Sequence, residues 1–381
     1  MSPIIEILRD TDAQMRIADE WDKAVPESFQ ATLSRSAWYF AWRDAFSVKE
    51  SVIVTARDDG RLVGVLPISK IRTDARGLFF PQITTYTGAD YQAPVIAEGA
   101  ANDILPCMVD AAIDHFGKMG VYWWANIPTN DMSADTLAAH LSSRGMRIYA
   151  EYRVAPRLLL SHRSYAEIES TWSASHRTDV RRQRKRLEKA GAISLSEPRD
   201  RAAARTLLEE FFTVHDEKWR SQGQPGMFHE SRHRNHFRAI VDRLWGRGLF
   251  FSVLRCDEVN VSYGFGFFSG GWIQWYRPTY RREYQNFSPG KVHIALLVEE
   301  ACKRGWNGVD FLQGAETYKQ QWSNEQIRTV DYYAACTAWS PGYQWFARGK
   351  PFVRERLGSA YARFRARLQG RFVLRDNQSA D

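Results

Sequence analysis

The 381 residues carry 52 Lys and Arg against 44 Asp and Glu, a net charge of +8, and 44% of them are hydrophobic. At roughly 150 residues per domain that length suits two domains, and the balance of apolar and charged side chains excludes a disordered chain. No apolar run approaches the roughly eighteen residues of a membrane span, and the opening MSPIIEILRDTD lacks the basic-then-apolar order of a secretory signal.

In chain order, residues 13–23 read as a helix and lead into SRSAWYFAWRDAF, where Trp38, Phe40, Trp42 and Phe46 crowd one segment. SVIVTARDDGRLVGVLPISKI then places two β-rich runs either side of Asp59-Gly60, a dipeptide suited to a tight hairpin. TYTGADYQAPVI follows, then a helix over 104–119, the strand VYWWANI, and a helix over 134–144 stopped by Gly145. The same grammar returns after residue 160. SHRTDVRRQRKRLEKAG reads as a helix with cations all round and Gly191 as its stop, and 202–219 as a second helix. LFFSVLRC and VNVSYGFGFFS flank Asp257-Glu258 as another hairpin, and GGWIQWYRPTY adds a strand. SPGKVHIALLVEEACKRG is the best-marked helix, with Ser288 as N-cap, Pro289 at its first position and Gly305 as its stop. GVDFLQG and VDYYAACTAW read as strands either side of a short Tyr/Lys/Trp segment. The pattern predicts two copies of one α+β unit, over 1–160 and 161–345, followed by a basic tail over 346–381.

Charge is concentrated in two places. Residues 348–375 hold nine basic side chains and one acid, an excess equal to the net charge of the whole chain, and 177–189 hold seven cations and two acids. Val353, Leu357, Tyr361, Phe364 and Leu368 recur at helical spacing in the tail, beside a basic stripe. That combination predicts docking on anionic lipid headgroups, capture of a phosphate-rich nucleotide such as a cyclic dinucleotide, or simple docking on the body of the protein. Charge this local does not predict stable DNA binding. Cys107, Cys256, Cys302 and Cys336 stand dozens of residues apart, which suits a reducing cytoplasm better than a disulfide framework or a zinc ribbon. The 14 Trp, 16 Tyr and 21 Phe suit either a groove for a long or sugar-like substrate or a well-filled core.

Three segments carry the chemistry. SPGK (Ser288 to Lys291) follows a strand and opens a helix, where free N–H groups and the dipole end form a phosphate cradle that Gly290 lets an anion approach and Lys291 charges. Asp-Phe-Leu-Gln-Gly-Ala-Glu-Thr-Tyr-Lys (Asp310 to Lys319) puts a carboxylate at a strand end, with Glu316, Tyr318, Lys319 and Trp322 after it. A carboxylate there with a second acid and a lysine is what proton transfer from an amine nucleophile requires, although Glu316 and Lys319 can equally pair with each other on a surface turn. HDEKW ends a helix with His215 and Trp219 one turn apart.

Taken in order, the Arg-rich helix, the His-x3-Trp pair, the hairpin, SPGK and Asp-Phe-Leu-x-Gly-x-Glu-x-Tyr-Lys-x3-Trp resemble the C-terminal half of the FemAB/CelD-like branch of the GNAT acyltransferase superfamily. Gly88-Ala-Asp-Tyr91 and the Trp-rich early segment resemble that branch's N-terminal half, so the likeness spans about residues 30–340. It implies an α+β chain of tandem GNAT-like domains, each a mixed central sheet flanked by helices. It implies an N-acyltransferase that carries an acyl group from a thioester, acetyl-CoA or a longer acyl-CoA, to an amine of a surface polysaccharide precursor or lipid-linked intermediate. No metal is implied, and the enzyme would be cytoplasmic or peripheral to the inner membrane. Ser288, Gly290 and Lys291 would lie by the donor pyrophosphate, with Asp310, Glu316, Lys319 and His215 as the catalytic set. Asp90, Tyr91, Trp219, Tyr276, Tyr318 and Trp322 would contact the acceptor. The Gln/Arg-x-x-Gly-x-Gly/Ala phosphate loop of simpler GNAT enzymes is absent, with Phe287-Ser-Pro-Gly-Lys in its place, so acyl carrier protein or aminoacyl-tRNA is an alternative donor. A catalytically silent envelope-pathway protein that binds an anionic nucleotide is a third reading. His229-Glu-Ser-Arg-His233 spells the zinc-peptidase H-E-x-x-H, but Arg232, Arg234 and Arg238 crowd it and no spaced third ligand follows.

Overall fold

Asp59-Gly60 and Asp257-Glu258 both turn the chain back on itself, and the fold grows from these two hairpins. Asp59 and Gly60 take φ of 47° and 77°, the left-handed values a two-residue turn between twisted strands needs. Asp257 takes φ of 50°, and its carboxylate accepts from the Ala192 amide at 2.8 Å. The computed structural model describes residues 3–75, 78–86, 88–221, 223–337 and 340–350. The tail expected over 346–381 therefore lies, from residue 351 onward, outside the described residues.

In chain order, β1 (Ile4–Leu8) precedes α1 (Thr11–Arg16), α2 (Ala18–Ala24), α3 (Ala31–Ser34) and α4 (Ser36–Ala45). The first hairpin is β2 (Glu50–Asp58) and β3 (Arg61–Ala75), followed by β4 (Leu78–Thr84), β5 (Val95–Ile96), α5 (Ile104–Phe116), β6 (Val121–Pro128), α6 (Met132–Ser143) and β7 (Arg147–Leu159). The second half opens with α7 (Tyr165–Thr171), α8 (Ala174–Glu188), β8 (Ile193–Ser196), α9 (Arg201–Arg220) and α10 (Ser231–Leu244). Its hairpin is β9 (Leu249–Cys256) and β10 (Val259–Ser269), then β11 (Trp272–Tyr280), α11 (Pro289–Lys303), β12 (Gly308–Asp310), α12 (Thr317–Trp322) and β13 (Glu325–Ala335).

The strands form one mixed 13-stranded sheet in the order β1-β2-β3-β4-β6-β13-β7-β12-β11-β10-β9-β8, with β5 on β3. Read inward from either end, the order is the same: an edge strand, a hairpin, a fourth strand, then a parallel partner reached through a crossover helix. The parallel pairs are β4–β6 across α5 and β11–β12 across α11. The halves nevertheless do not own separate sheets. The last strand of the second half, β13, lies against β6 of the first, and the last strand of the first half, β7, lies against β12 of the second. β7 and β13 pair with each other in antiparallel register from Arg147↔Ala335 to Arg157↔Glu325. The boundary at residue 160 is thus a boundary in sequence, crossed by an exchange of strands in space.

β7 has no clean two-residue alternation, because Glu151, Arg153 and Arg157 interrupt it and Pro156 lacks an N–H. It still runs through the middle of the sheet because its charges are paired. Arg153 meets Asp331 at 2.7 Å, and the Pro156 carbonyl accepts from the Phe311 amide at 3.0 Å.

Helices cover both halves with shared cores. α4 is buried from Ser36 to Arg43, which is why its aromatic residues follow no single stripe. Trp38 meets His236 edge-on at 5.4 Å and Phe46 meets His233 at 5.2 Å, which locks α4 of the first half onto α10 of the second. α8 is not cationic all round: His176, Val180, Gln183 and Leu187 form a buried face at helical spacing, and two polar members disguise it in the sequence. Gly191 does not stop this helix by a left-handed turn. It is small because a Cβ there would stand 2.3 Å from the Asp257 carboxylate. Among the described residues no helix is long and apolar enough to cross a membrane.

The strand exchange makes a direct prediction. A fragment of residues 1–160 lacks β13 between β6 and β7, and it will show no cooperative thermal transition by circular dichroism. Co-expression with residues 161–381 will restore one transition in a co-purifying pair; independent folding of the fragment would contradict the shared seam.

Candidate active site

β11 and β12 run together for three residues only. Trp272 to Gln274 pair in parallel with Gly308 to Asp310, after which β11 continues to Tyr280 without β12 beside it. A bulge causes the divergence. β10 pairs Phe265 with Arg277 and Phe267 with Gln274, so Trp275 and Tyr276 together oppose the single residue Gly266. Gly266 has to be glycine, because a Cβ there would sit 2.0 Å from the Gln274 carbonyl oxygen. On the other side the chain swings away at Leu312, held at φ 59° with its amide on the Asp310 carboxylate at 2.8 Å. The two strands part there, and the backbone edge of residues 275–280 is left without β12 beside it, a gap between the strands. In the first half the equivalent gap beyond β4 and β6 is filled by its own chain. Thr85, Tyr86, Ala89, Tyr91 and Gln92 are buried there, and the Asn126 side chain donates to the Ala89 carbonyl at 2.7 Å.

The helix entrance expected at SPGK stands at one end of the open gap. Ser288 occupies the N-cap position, but in left-handed backbone (φ 47°, ψ 55°) and with no capping bond from its side chain. The expected hydroxyl cap is therefore replaced by a tight turn, in which the Ser288 carbonyl accepts from the Lys291 and Val292 amides at 2.9 and 3.3 Å. The space in front of Gly290 is open, since a Cβ there would meet only the Tyr280 ring, at 3.9 Å. Lys291 is ion-paired with Asp179 of α8. Lys218, from the end of α9, sits 4.1 Å over the Tyr280 ring, and burial lowers its pKa.

Asp310 closes the other end from behind. It has no exposed surface; the Tyr91 hydroxyl donates to its two oxygens at 3.0 and 2.9 Å, and Arg157 stands 3.6 Å away. Arg157 is itself sandwiched, 3.6 Å over Trp272 and 4.6 Å from Phe29. Burial pushes the Asp310 pKa up to about 6, although Arg157, the Leu312 amide and Tyr91 all favour the carboxylate.

In front of this knot, loop 311–316 faces the first half. Gln313 donates to the Asp90 carbonyl at 2.9 Å and to Thr329 at 2.7 Å, while Lys319, buried, donates to the Gln313 carbonyl at 2.6 Å and pairs with Glu316 at 3.1 Å. Gly314, at φ 133°, leaves room for that pair, since a Cβ there would overlap Glu316. Asp90 is half-buried, and burial raises its pKa despite the opposing fields of Arg277 and Lys319. Arg277 is exposed, stacked 4.8 Å over the Tyr276 ring. Tyr318 and Trp219 are partly exposed, at 36% and 37%.

The structure thus gathers Asp90, Glu316, Tyr318 and Lys319 in one recess and sets Tyr91 and Asp310 behind it. His215 is buried, and its Nε2 accepts from the Trp219 indole at 3.1 Å. Burial, with Arg277 and Lys218 nearby, lowers its pKa to about 3, so it is neutral and its lone pair is occupied. It orients Trp219. Tyr276 is buried, with its hydroxyl on the Gly88 carbonyl at 2.5 Å. Trp322, expected against the acceptor, is 1% exposed and packs edge-on to Trp172 and His176 at 4.7 and 4.6 Å, so it belongs to the core. Sequence reasoning missed Arg157 and Arg277; Arg157 gave no signal, whereas Arg277 follows a Trp-Tyr pair at a strand end. The H-E-x-x-H motif does not form its site: Glu230 is extended (φ −90°, ψ 130°) and α10 starts only at Ser231, so His229 and His233 do not share a helix face. Among the described residues no three metal-ligating side chains converge.

Residues 174–320, which contain the open gap, match the family model described as "Acetyltransferase (GNAT) domain". The crystal structure of FemX superposes with a TM-score of 0.58 at 11% identity, over 92% of this chain and 99% of FemX. The C-terminal domain of a putative lysylphosphatidylglycerol synthetase from Agrobacterium fabrum superposes with a TM-score of 0.55 at 10% identity, over 90% of this chain and 97% of that one. No protein of curated function matches the sequence. Residues 174–320 thus match a GNAT acetyltransferase domain, and the superpositions show that the chain as a whole has this fold, a mixed central sheet flanked by helices.

The raised Asp310 pKa has a signed consequence. The unfolded carboxyl titrates near 3.9 and the folded one at about 6, so the folded state holds this proton more tightly. That contribution is complete below the unfolded pKa and is lost as pH rises through about 6. Asp310→Asn does not titrate. Its unfolding free energy relative to wild type, measured by urea melts, will shift in the variant's favour by about 2 kcal/mol between pH 4 and 7; a pH-independent difference would contradict the burial assignment.

Proposed function

We propose that the protein transfers an acyl group from a coenzyme A thioester to an amine bound between the two halves. The observation that carries this reading is the open gap between β11 and β12, with a helix entrance at one end and a carboxylate-lined recess at the other. The donor diphosphate would rest before Gly290, and Lys291 would leave Asp179 to meet it. The acyl-bearing arm would lie along the backbone edge of residues 275–280, where free N–H groups would hold the thioester oxygen as it becomes negative.

The acceptor amine would enter beside Asp90, Glu316 and Tyr318. Asp90, half-buried and with its pKa raised, takes the ammonium proton. The free amine attacks the thioester carbon, the C–N bond forms, the C–S bond breaks, and the thiolate leaves as free thiol after protonation. Asp310 and His215 act as positioning residues, through Tyr91 and Trp219 respectively. In this reading the acceptor is an amine of a surface polysaccharide precursor or a lipid-linked intermediate, in keeping with the FemAB/CelD-like resemblance. Four free cysteines accord with work in the reducing cytoplasm, where such thioesters are made. Aminoacyl-tRNA is less well served as donor. On α8, Arg181 pairs with Glu169, Arg182 with Asp179, and Arg184 with Glu188 and Glu299, so much of its charge is already neutralised.

Free thiol released from acetyl-CoA and longer acyl-CoA, read with a thiol reagent, tests this. Release will require an added amine; Asp90→Asn will lower kcat/KM by on the order of 100-fold, and Lys291→Ala will raise KM for the thioester about tenfold. No amine-dependent release from any thioester would overturn the reading.

A further inference from the structure

The recess contains one cation that the fold itself does not use. Arg153, Arg157, Lys291 and Lys319 each have a carboxylate partner. Arg277 has no ion-pair partner among the described residues: exposed in the second half of β11, it engages the Tyr276 hydroxyl, and Asp90 and Glu316 act on it only electrostatically. The bulge in β11 puts it there. By pairing Arg277 with Phe265 one step out of register, the fold turns this guanidinium over the Tyr276 ring, which the Gly88 carbonyl anchors through its hydroxyl. His215 and His233, the titratable groups beside it, are held neutral, with pKa values lowered to about 3 and about 4, first by burial, so neither brings it a counter-charge. Lys218 is the second cation near His215, but it lies over Tyr280, the ring that faces Gly290, and so belongs to the donor end.

An exposed guanidinium stacked on an aromatic ring, with five donors in a fixed fork and only the Tyr276 hydroxyl as side-chain partner among the described residues, is built to receive a carboxylate or phosphate. We infer that the acceptor carries such an anionic group close to its amine, and that Arg277 receives it. This rests on the transferase reading and deepens it, by giving the acceptor two points of attachment: an anion on Arg277 and an amine beside Asp90. Two fixed points orient the nucleophile along the gap toward the thioester. A neutral amine would meet only one of them.

Chemical labelling tests the site without knowledge of the acceptor. The full-length protein is treated with phenylglyoxal, saturating CoA being present to fill the donor end, and modification is read residue by residue by peptide mass spectrometry. Arg277 will label in chloride, and either inorganic phosphate or acetate at equal ionic strength will protect it at least fivefold; exposed Arg199 will label alike in all three. Protection by phosphate alone marks a phosphate-bearing acceptor, and protection by acetate marks a carboxylate. Equal labelling of Arg277 in all three salts would overturn the inference while leaving amine-dependent thiol release untouched. In the thiol assay, wild type will prefer alanine to alaninamide or phosphoethanolamine to ethanolamine by tenfold or more in kcat/KM. In Arg277→Gln that ratio will fall to about one, and in Arg277→Lys it will be partly kept. A wild-type ratio near one for both pairs would also overturn it.

Discussion

A single buried carboxylate fixes where the two halves meet. Asp310 ends β12, and its partners come from three places: Tyr91 on the loop that fills the first half's own gap, Arg157 on the exchanged strand β7, and the Leu312 amide just beyond it. A carboxyl without exposed surface is costly unless its oxygens are engaged, and leaving any one partner out would strand the others in the interior. The arrangement therefore permits one relative placement of loop 85–92, β7 and loop 311–316. The rest follows from that placement. Gln313 reaches Asp90, Lys319 turns in under Glu316, and the gap between β11 and β12 opens toward the first half rather than away from it.

Burial and charge divide labour along the gap. At the donor end the groups are a helix entrance, a lysine already bonded to a surface carboxylate, and Lys218 stacked on a ring. On the proposed reading an arriving diphosphate would take the place of Asp179 on Lys291, replacing one charge-assisted bond in a half-buried pair by another. In the recess burial raises the pKa of Asp90, which on the proposed reading makes it a better base, while the histidines nearby are kept neutral. An imidazolium there would compete for the same proton and repel an incoming ammonium. His215 therefore serves the site better as a hydrogen-bond acceptor for Trp219 than as a titrating group.

How much of this was legible in the sequence depends on whether a residue's role is local. The hairpins at Asp59-Gly60 and Asp257-Glu258 were legible because turn chemistry needs no tertiary context, and α11 was legible because Pro289 and Gly305 mark both its ends. Gly88-Ala-Asp-Tyr91 and the Asp310 to Lys319 segment could each be recognised, and the fold brings the two segments into contact. β7 was not legible, since the charges that break its alternation meet their partners Asp331, Asp310 and Lys350 more than 150 residues away. α8 was misread for the converse reason: His176 and Gln183 are polar by name but buried by position. Trp322 looked like a ligand-facing aromatic because sequence does not show which side of a short helix is covered; Trp172 and His176 cover it.

The duplicated architecture then has a physical reading. Each half has the strand order that opens a gap after its fourth strand, yet one gap is filled by residues 85–92 and the other is left free. A filled gap is worth more to the folded state, because Tyr86 and Tyr91 bury rings there that an open cleft would expose. The open gap lacks that burial, and the edge of β11 beyond Gln274 has no β12 beside it. That loss is tolerated because the first half and the strand-exchanged seam hold the sheet together. The first half is thus a wall: it supplies Asp90 and Tyr91 to the neighbouring gap precisely through the loop that closes its own.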